Sequence, residues 1–187
     1  MLKIVTIIKL KKKSNPLFRF APKLWACAVS MLMLVSGCSN IECPLDNIVV
    51  MTCGLYTTDT HEHLKLQETL DVLPMGKDTV LLNCASDITD FMLPLRQAAD
   101  ADTFLLRFTG RTGQVSTDTL IVSHTNTPHY ESIECPATVF HTLTDVKWKH
   151  QEGTDFPLSI DSVALVRTVV NYDDVENLRI YLRTVAP

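Results

Sequence analysis

From Asn47 onward the hydrophobic residues fall at alternate positions in short runs, each closed by turn-forming residues. Successive side chains of a β-strand point to opposite faces, so this pattern predicts strands with one buried and one wet face. Asn47 to Tyr56 places Val49, Met51, Cys53 and Leu55 together, and Leu64 to Leu73 sets Leu64, Leu66, Leu70 and Val72 against Lys65, Gln67, Thr69 and Asp71. After the turn residues Pro74 to Asp78, Thr79 to Cys84 resumes with Val80, Leu82 and Cys84 aligned. Ala85 to Asp102 is polar and irregular around Phe91-Met92-Leu93-Pro94-Leu95, with room for a bent edge strand or a helical turn at Arg96 to Ala101, and reads as a loop. Thr103 to Thr109 and Ser116 to His124, joined across Gly110 to Gly113, read as a hairpin. His129 to Cys135 and Ala137 to Trp148 form a long segment interrupted at Pro136, which cannot donate to a ladder. Leu158 to Val170 and Asn177 to Val185 finish the chain as two strands joined by Tyr172-Asp173-Asp174. No run shows a 3.6-residue period. About eight or nine strands at such spacing predict an all-β fold, a single antiparallel β-sandwich, immunoglobulin-like or transthyretin-like in general form.

The pattern ahead of Asn47 is of another kind. Basic residues (Lys9, Lys11, Lys12, Lys13, Arg19, Lys23) precede an apolar run from Leu24 to Val35, and Ser36-Gly37-Cys38 follows it. Basic, apolar and small residues in that order form a secretory signal, and a cysteine after the small pair makes it a bacterial lipobox. The apolar run is shorter than the roughly 18 residues that would span a bilayer. The expected organisation is a lipoprotein signal peptide (1–37), a lipidated Cys38 with a short tether (38–46) and one sandwich domain (47–187). The tether carries no acidic run directly after Cys38. The expected address is therefore the outer membrane, lipid-anchored on the periplasmic face, with the cell surface as the alternative.

Composition changes once the signal is removed. Seven of the 17 basic residues and none of the 21 acidic ones leave with it, so 10 remain against 21 and the mature net charge is −11. The remaining Lys and Arg are scattered, which argues against nucleic-acid binding. Cys43, Cys53, Cys84 and Cys135 survive besides Cys38. An even count in an oxidising compartment predicts disulfides, with Cys135 bridging to Cys43 or Cys53 because a long loop restrains the unfolded chain most. No CxxC occurs, so a redox centre or zinc ribbon has no support, and the plain alternative for Cys84 is a free buried thiol.

Taken together, Cys43-Pro44-Leu45-Asp46-Asn47, Thr52-Cys53-Gly54-Leu55-Tyr56, His124 to Tyr130, Glu134-Cys135-Pro136, Ile160-Asp161-Ser162-Val163 and Glu176 to Tyr181 resemble an uncharacterised family of Bacteroidetes lipoproteins built on a domain of unknown function. The resemblance implies an exported, β-rich, lipid-anchored protein of 150 residues after cleavage. No activity is established for that family, so it assigns no catalytic residues.

Candidate chemistry is sparse. His61-Glu62-His63 would put two imidazoles on one face of a strand, and Asp173, Asp174 and Glu176 could offer hard oxygens to calcium. A solvated loop and a solvated turn are the favoured readings of those segments, so no metal or other cofactor is expected. Asp100 and Asp102 are read in the same way. His124, His129 and His141 could approach one another, though local hydrogen bonds at strand ends explain them more simply. There is no GxSxG elbow and no Gly-rich phosphate cradle, so a catalytic role is not expected. What remains is a non-catalytic envelope lipoprotein that binds another envelope or outer-membrane protein, the alternative being a binding module for carbohydrate or a divalent cation.

Overall fold

A computed structural model describes residues 48–151 and 158–184. The expected signal peptide and tether, with Cys38 and Cys43, lie outside the described residues. Among those described, the chain is all-β, with strands β1 (Met51–Thr57), β2 (Thr69–Pro74), β3 (Leu82–Ala85), β4 (Asp90–Leu93), β5 (Ala101–Thr109), β6 (Val115–His129), β7 (Thr138–His150), β8 (Leu158–Leu165), β9 (Val169–Val170) and β10 (Glu176–Thr184). They form a four-stranded sheet in the order β4-β1-β10-β8 and a six-stranded sheet in the order β3-β2-β5-β6-β7-β9.

The alternation read from the sequence is the alternation that packs. Phe104, Leu106 and Phe108 of β5, Leu120 and Val122 of β6, and Leu70 and Val72 of β2 point inward from one sheet. Met51, Cys53 and Leu55 of β1 and Leu178, Ile180 and Leu182 of β10 meet them from the other. Each large side chain sealed in this layer contributes about 1.5–3 kcal/mol of hydrophobic stabilisation.

The differences from expectation are local. Ten strands form among the described residues, because Asp90–Leu93, within the segment read as a loop with an edge strand as its alternative, lies antiparallel along β1 as that edge strand. The sheet is not wholly antiparallel: β1 runs parallel to β10, from Thr52 opposite Glu176 to Thr57 opposite Leu182. Strands from opposite ends of the chain need no tight turn between them, so either direction is open to them. Leu64 to Glu68 precede β2 rather than belong to it; Leu64 N–H donates to Leu55 O and Leu66 N–H to Ile88 O, which ties this segment to the other sheet. Ser116 to His129 is one continuous strand rather than two.

Candidate functional site

β1 is buried on both faces, which a strand covered on one side only would not be. Its core face carries Met51, Cys53 and Leu55; its outer face carries Thr52, Gly54 and Tyr56, covered by side chains from β10 and from the loop after β1. Gly54 makes this cover possible. A Cβ there would stand 2.1 Å from Glu176 Oε2 and 2.9 Å from the Tyr56 ring, so only glycine leaves room for the carboxylate.

Over that gap the groups are mutually satisfied. The Tyr56 hydroxyl donates to Glu176 Oε2 at 2.7 Å, which leaves its oxygen to accept from His63 Nε2 at 3.1 Å. Arg179 Nε donates to Glu176 Oε1 at 2.7 Å, and its guanidinium lies 5.1 Å from the Tyr56 ring centre. Tyr181, opposite Tyr56 in the parallel register, is 5.6 Å from it, and His61 meets Tyr181 edge-on at 5.0 Å. Burial, then the hydrogen bond to Glu176 and its negative charge, hold the Tyr56 phenol above its ordinary range. The result is a patch of two tyrosines, two histidines and one ion pair at the β1-end and β10-end of the outer sheet face. Tyr56 itself is buried and Tyr181 half-buried, while His61, His63 and Arg179 are exposed around them.

Of the residues singled out in the sequence, His61, His63 and Glu176 meet here, His63 and Glu176 through Tyr56 and His61 through Tyr181. Asp173 and Asp174 do not join them. Asp173 accepts from Arg167 Nη2 at 2.6 Å and from Asn171 Nδ2, while Asp174 accepts from Thr52 Oγ1 at 3.3 Å. Among the described residues, no three His, Cys, Asp or Glu side chains are grouped to hold a metal ion.

Buried Asp102 corrects the sequence reading, and Asp118 is a second buried aspartate. Asp102 is only 4% exposed: Arg96 donates to it through its backbone N–H at 2.9 Å and through Nε at 2.5 Å, and His124 Nε2 lies 3.0 Å away. Asn126 donates to the carbonyls of Gln97 and Ala99, which turns its own carbonyl oxygen toward His124 Nδ1 at 2.9 Å and His141 Nδ1 at 2.7 Å. His124 and His141 therefore do approach, whereas His129 stacks on Phe140 and meets Tyr172. A cavity of about 200 Å³, lined by Pro74, Leu81, Pro94, Leu95 and Phe104, opens beside the Arg96–Asp102 pair. Asp118, fully buried, accepts from Ile160 N–H at 2.6 Å and contacts His150 Nδ1, so it links β6, β7 and β8 across the two sheets. The signal for both was present: Asp102 alternates with Phe104, Leu106 and Phe108, and Asp118 with Leu120 and Val122, on faces that must be buried.

The cysteines divide. Cys53 and Cys84 are free thiols, so neither is Cys135's partner and the expectation that all four pair is corrected. Cys53 faces the core, where burial, reinforced by the Glu176 charge, pushes its thiol far up. Cys84 is exposed, not buried: pairing between β2 and β3 slips between Leu70 and Val72, and Cys84 sits at φ 47° with its N–H donating to Asp71. Cys135 is not among the free thiols. Trp148 is partly exposed on β7.

No curated protein and no solved structure matches the chain. A family match extends over residues 69–182, from the first residue of β2 into β10, and leaves β1 outside it although β1 is central to its sheet. On that match, which covers more than half of its length, the chain belongs to DUF6452, a family of unknown function.

Proposed function

We propose that this is an exported lipoprotein, anchored in the outer membrane through Cys38 on the periplasmic face, whose sandwich is a non-catalytic module that binds another envelope protein. The observation that carries the binding role is the exposed set of Arg179, His61 and His63 around half-buried Tyr181, held on the outer sheet face by buried Tyr56 and by Glu176 across the β1–β10 pair. Tyrosine and arginine dominate the energetics of protein interfaces, and a rigid, pre-arranged set loses little entropy on binding. The Bacteroidetes lipoprotein resemblance and the order of residues before Cys38 support the address. With Cys53 free, the proposed bridge of Cys135 is to Cys43, which lies outside the described residues.

A divalent-cation module is less well supported, since Asp173 is engaged by Arg167 and Glu176 by Arg179. The test is site-specific photocrosslinking from position 61 in intact cells, with the full chain carrying a photoreactive residue in place of His61. One dominant envelope protein, lost when Arg179→Glu is added, is expected; a crosslink pattern indistinguishable from one started at Asn83, on β3 of the other sheet, would overturn the binding role.

A further inference from the structure

We propose that the end of the sandwich at which β1 begins is a membrane-contacting rim, seated in the headgroup region of the leaflet that holds the Cys38 lipid; this rests on the lipoprotein reading above. Strand directions define that end. β1 and β10 start there, while β4 and β8, antiparallel to them, finish there. Three residues carry the chain from β8 to β9, which pairs with His141 and Thr142 near the start of β7, so β6 ends and β5 starts at the same end.

Eleven large hydrophobic side chains are exposed among the described residues, and nine of them lie at this end; the other two are Val115 and Trp148. The most exposed are Ile133 at 105%, Ile48 at 69%, Tyr130 at 67% and Met75 at 61%, on three separate segments. Single exposed apolar residues are ordinary, but their concentration on one end marks a contact surface. The loop bearing Tyr130 and Ile133 also stands forward, because β6 continues from His124 to His129 past the last residue pair with β5, Ala101 opposite Ser123.

Chain length selects the occupant. Only nine residues, 39–47, lie between Cys38 and Ile48, the first described residue. The ten Cα–Cα steps from Cys38 to Ile48 reach at most about 35 Å when fully extended. The nine residues of β10 alone extend about 30 Å, more than the root-mean-square span of about 17 Å of a ten-step chain, so the end where β1 begins lies on average nearer the bilayer than the end bearing His61 and His63. Tyrosine settles at the membrane interface, and apolar isoleucine and methionine gain by burial at the acyl boundary beneath it. Acidic side chains on these loops outnumber Lys77, Arg96 and Arg167, which favours zwitterionic over anionic headgroups.

The test uses the full-length chain, processed and lipidated in a Gram-negative host and reconstituted into phosphatidylcholine vesicles with and without brominated acyl chains. In a Trp148→Phe background, Ile133→Trp and Met75→Trp report from the rim and Val115→Trp from the opposite end. Loss of about half or more of the emission in brominated vesicles is expected for the first two, and none for Val115→Trp. If the protein is acylated and floats with the vesicles, yet the rim reporters are no more quenched than Val115→Trp, the rim proposal is overturned and the surface is left to a protein partner. An N-terminal peptide without acyl mass overturns the lipoprotein reading itself, and the rim with it.

Discussion

Glu176 and Tyr56, 120 positions apart in the chain, meet at 2.7 Å across the parallel β1–β10 pair, with the carboxylate lying over the bare Cα of Gly54. The geometry makes Gly54 the weakest point of the patch. Gly54→Ala is expected to expel the carboxylate and to cost about 1–3 kcal/mol, as over-packing does elsewhere. Urea unfolding at neutral pH measures the loss, and a wild-type midpoint would refute the role given to Gly54.

Tyr56 supplies a pH signature of the same contact. Burial and Glu176 raise its pKa in the folded state, so the neutral phenol is favoured there. A raised value contributes stability that is complete below the ordinary phenol range, about 10, and is lost as pH climbs through the folded value. Glu176→Gln removes the charge and should bring the Tyr56 transition down in an ultraviolet absorbance titration. No downward movement would mean that Glu176 does not act on this phenol.

Asp102 and Asp118 should respond oppositely to acid. Burial pushes Asp102 up, but the Arg96 backbone N–H, the Arg96 guanidinium and His124 outweigh it and hold the carboxyl below the usual range. Its contribution is therefore present above pH about 4 and lost as pH falls through the folded value. Asp102→Ala leaves the fully buried His124 without its partner and should cost about 2–4 kcal/mol at pH 7, with a smaller loss at pH 3. A loss that does not change with pH would sink the charge-based account.

For Asp118, burial wins over Ile160 N–H and His150, and the carboxyl is held above the usual range. Stability linked to it is complete below that range and declines as pH rises through the folded value. The difference between wild type and Asp118→Asn should accordingly shrink from pH 4 to pH 7 in paired chemical denaturation curves. A growing difference would show that the ionised form is the one the fold prefers.

Thiol accessibility separates the two free cysteines. Alkylation of the native protein, located by mass spectrometry, should modify Cys84 and leave Cys53 untouched until denaturant is added. Modification of native Cys53 would mean that the layer between the sheets opens readily.

Strand identity was legible in the sequence because it is a local property: a side chain's face follows from its parity along the run, and Phe104, Leu106 and Phe108 or Leu120 and Val122 needed nothing else to be placed in the core. The β5–β6 hairpin was legible for the same reason, since a short turn dictates its pairing. Parity also held the burial of Asp102 and Asp118, although their polarity pointed to solvent. Parity failed at Cys84, where a slipped β2–β3 register turned the residue outward. His61, His63 and Glu176 could be noticed as residue types, but their meeting at Tyr56 follows from the direction and register of β1 against β10, which no local pattern encodes. The sequence by itself determined which residues seek the core; only the tertiary structure decided which strands lie side by side, because that choice is made by packing two whole sheets together and not by any one strand.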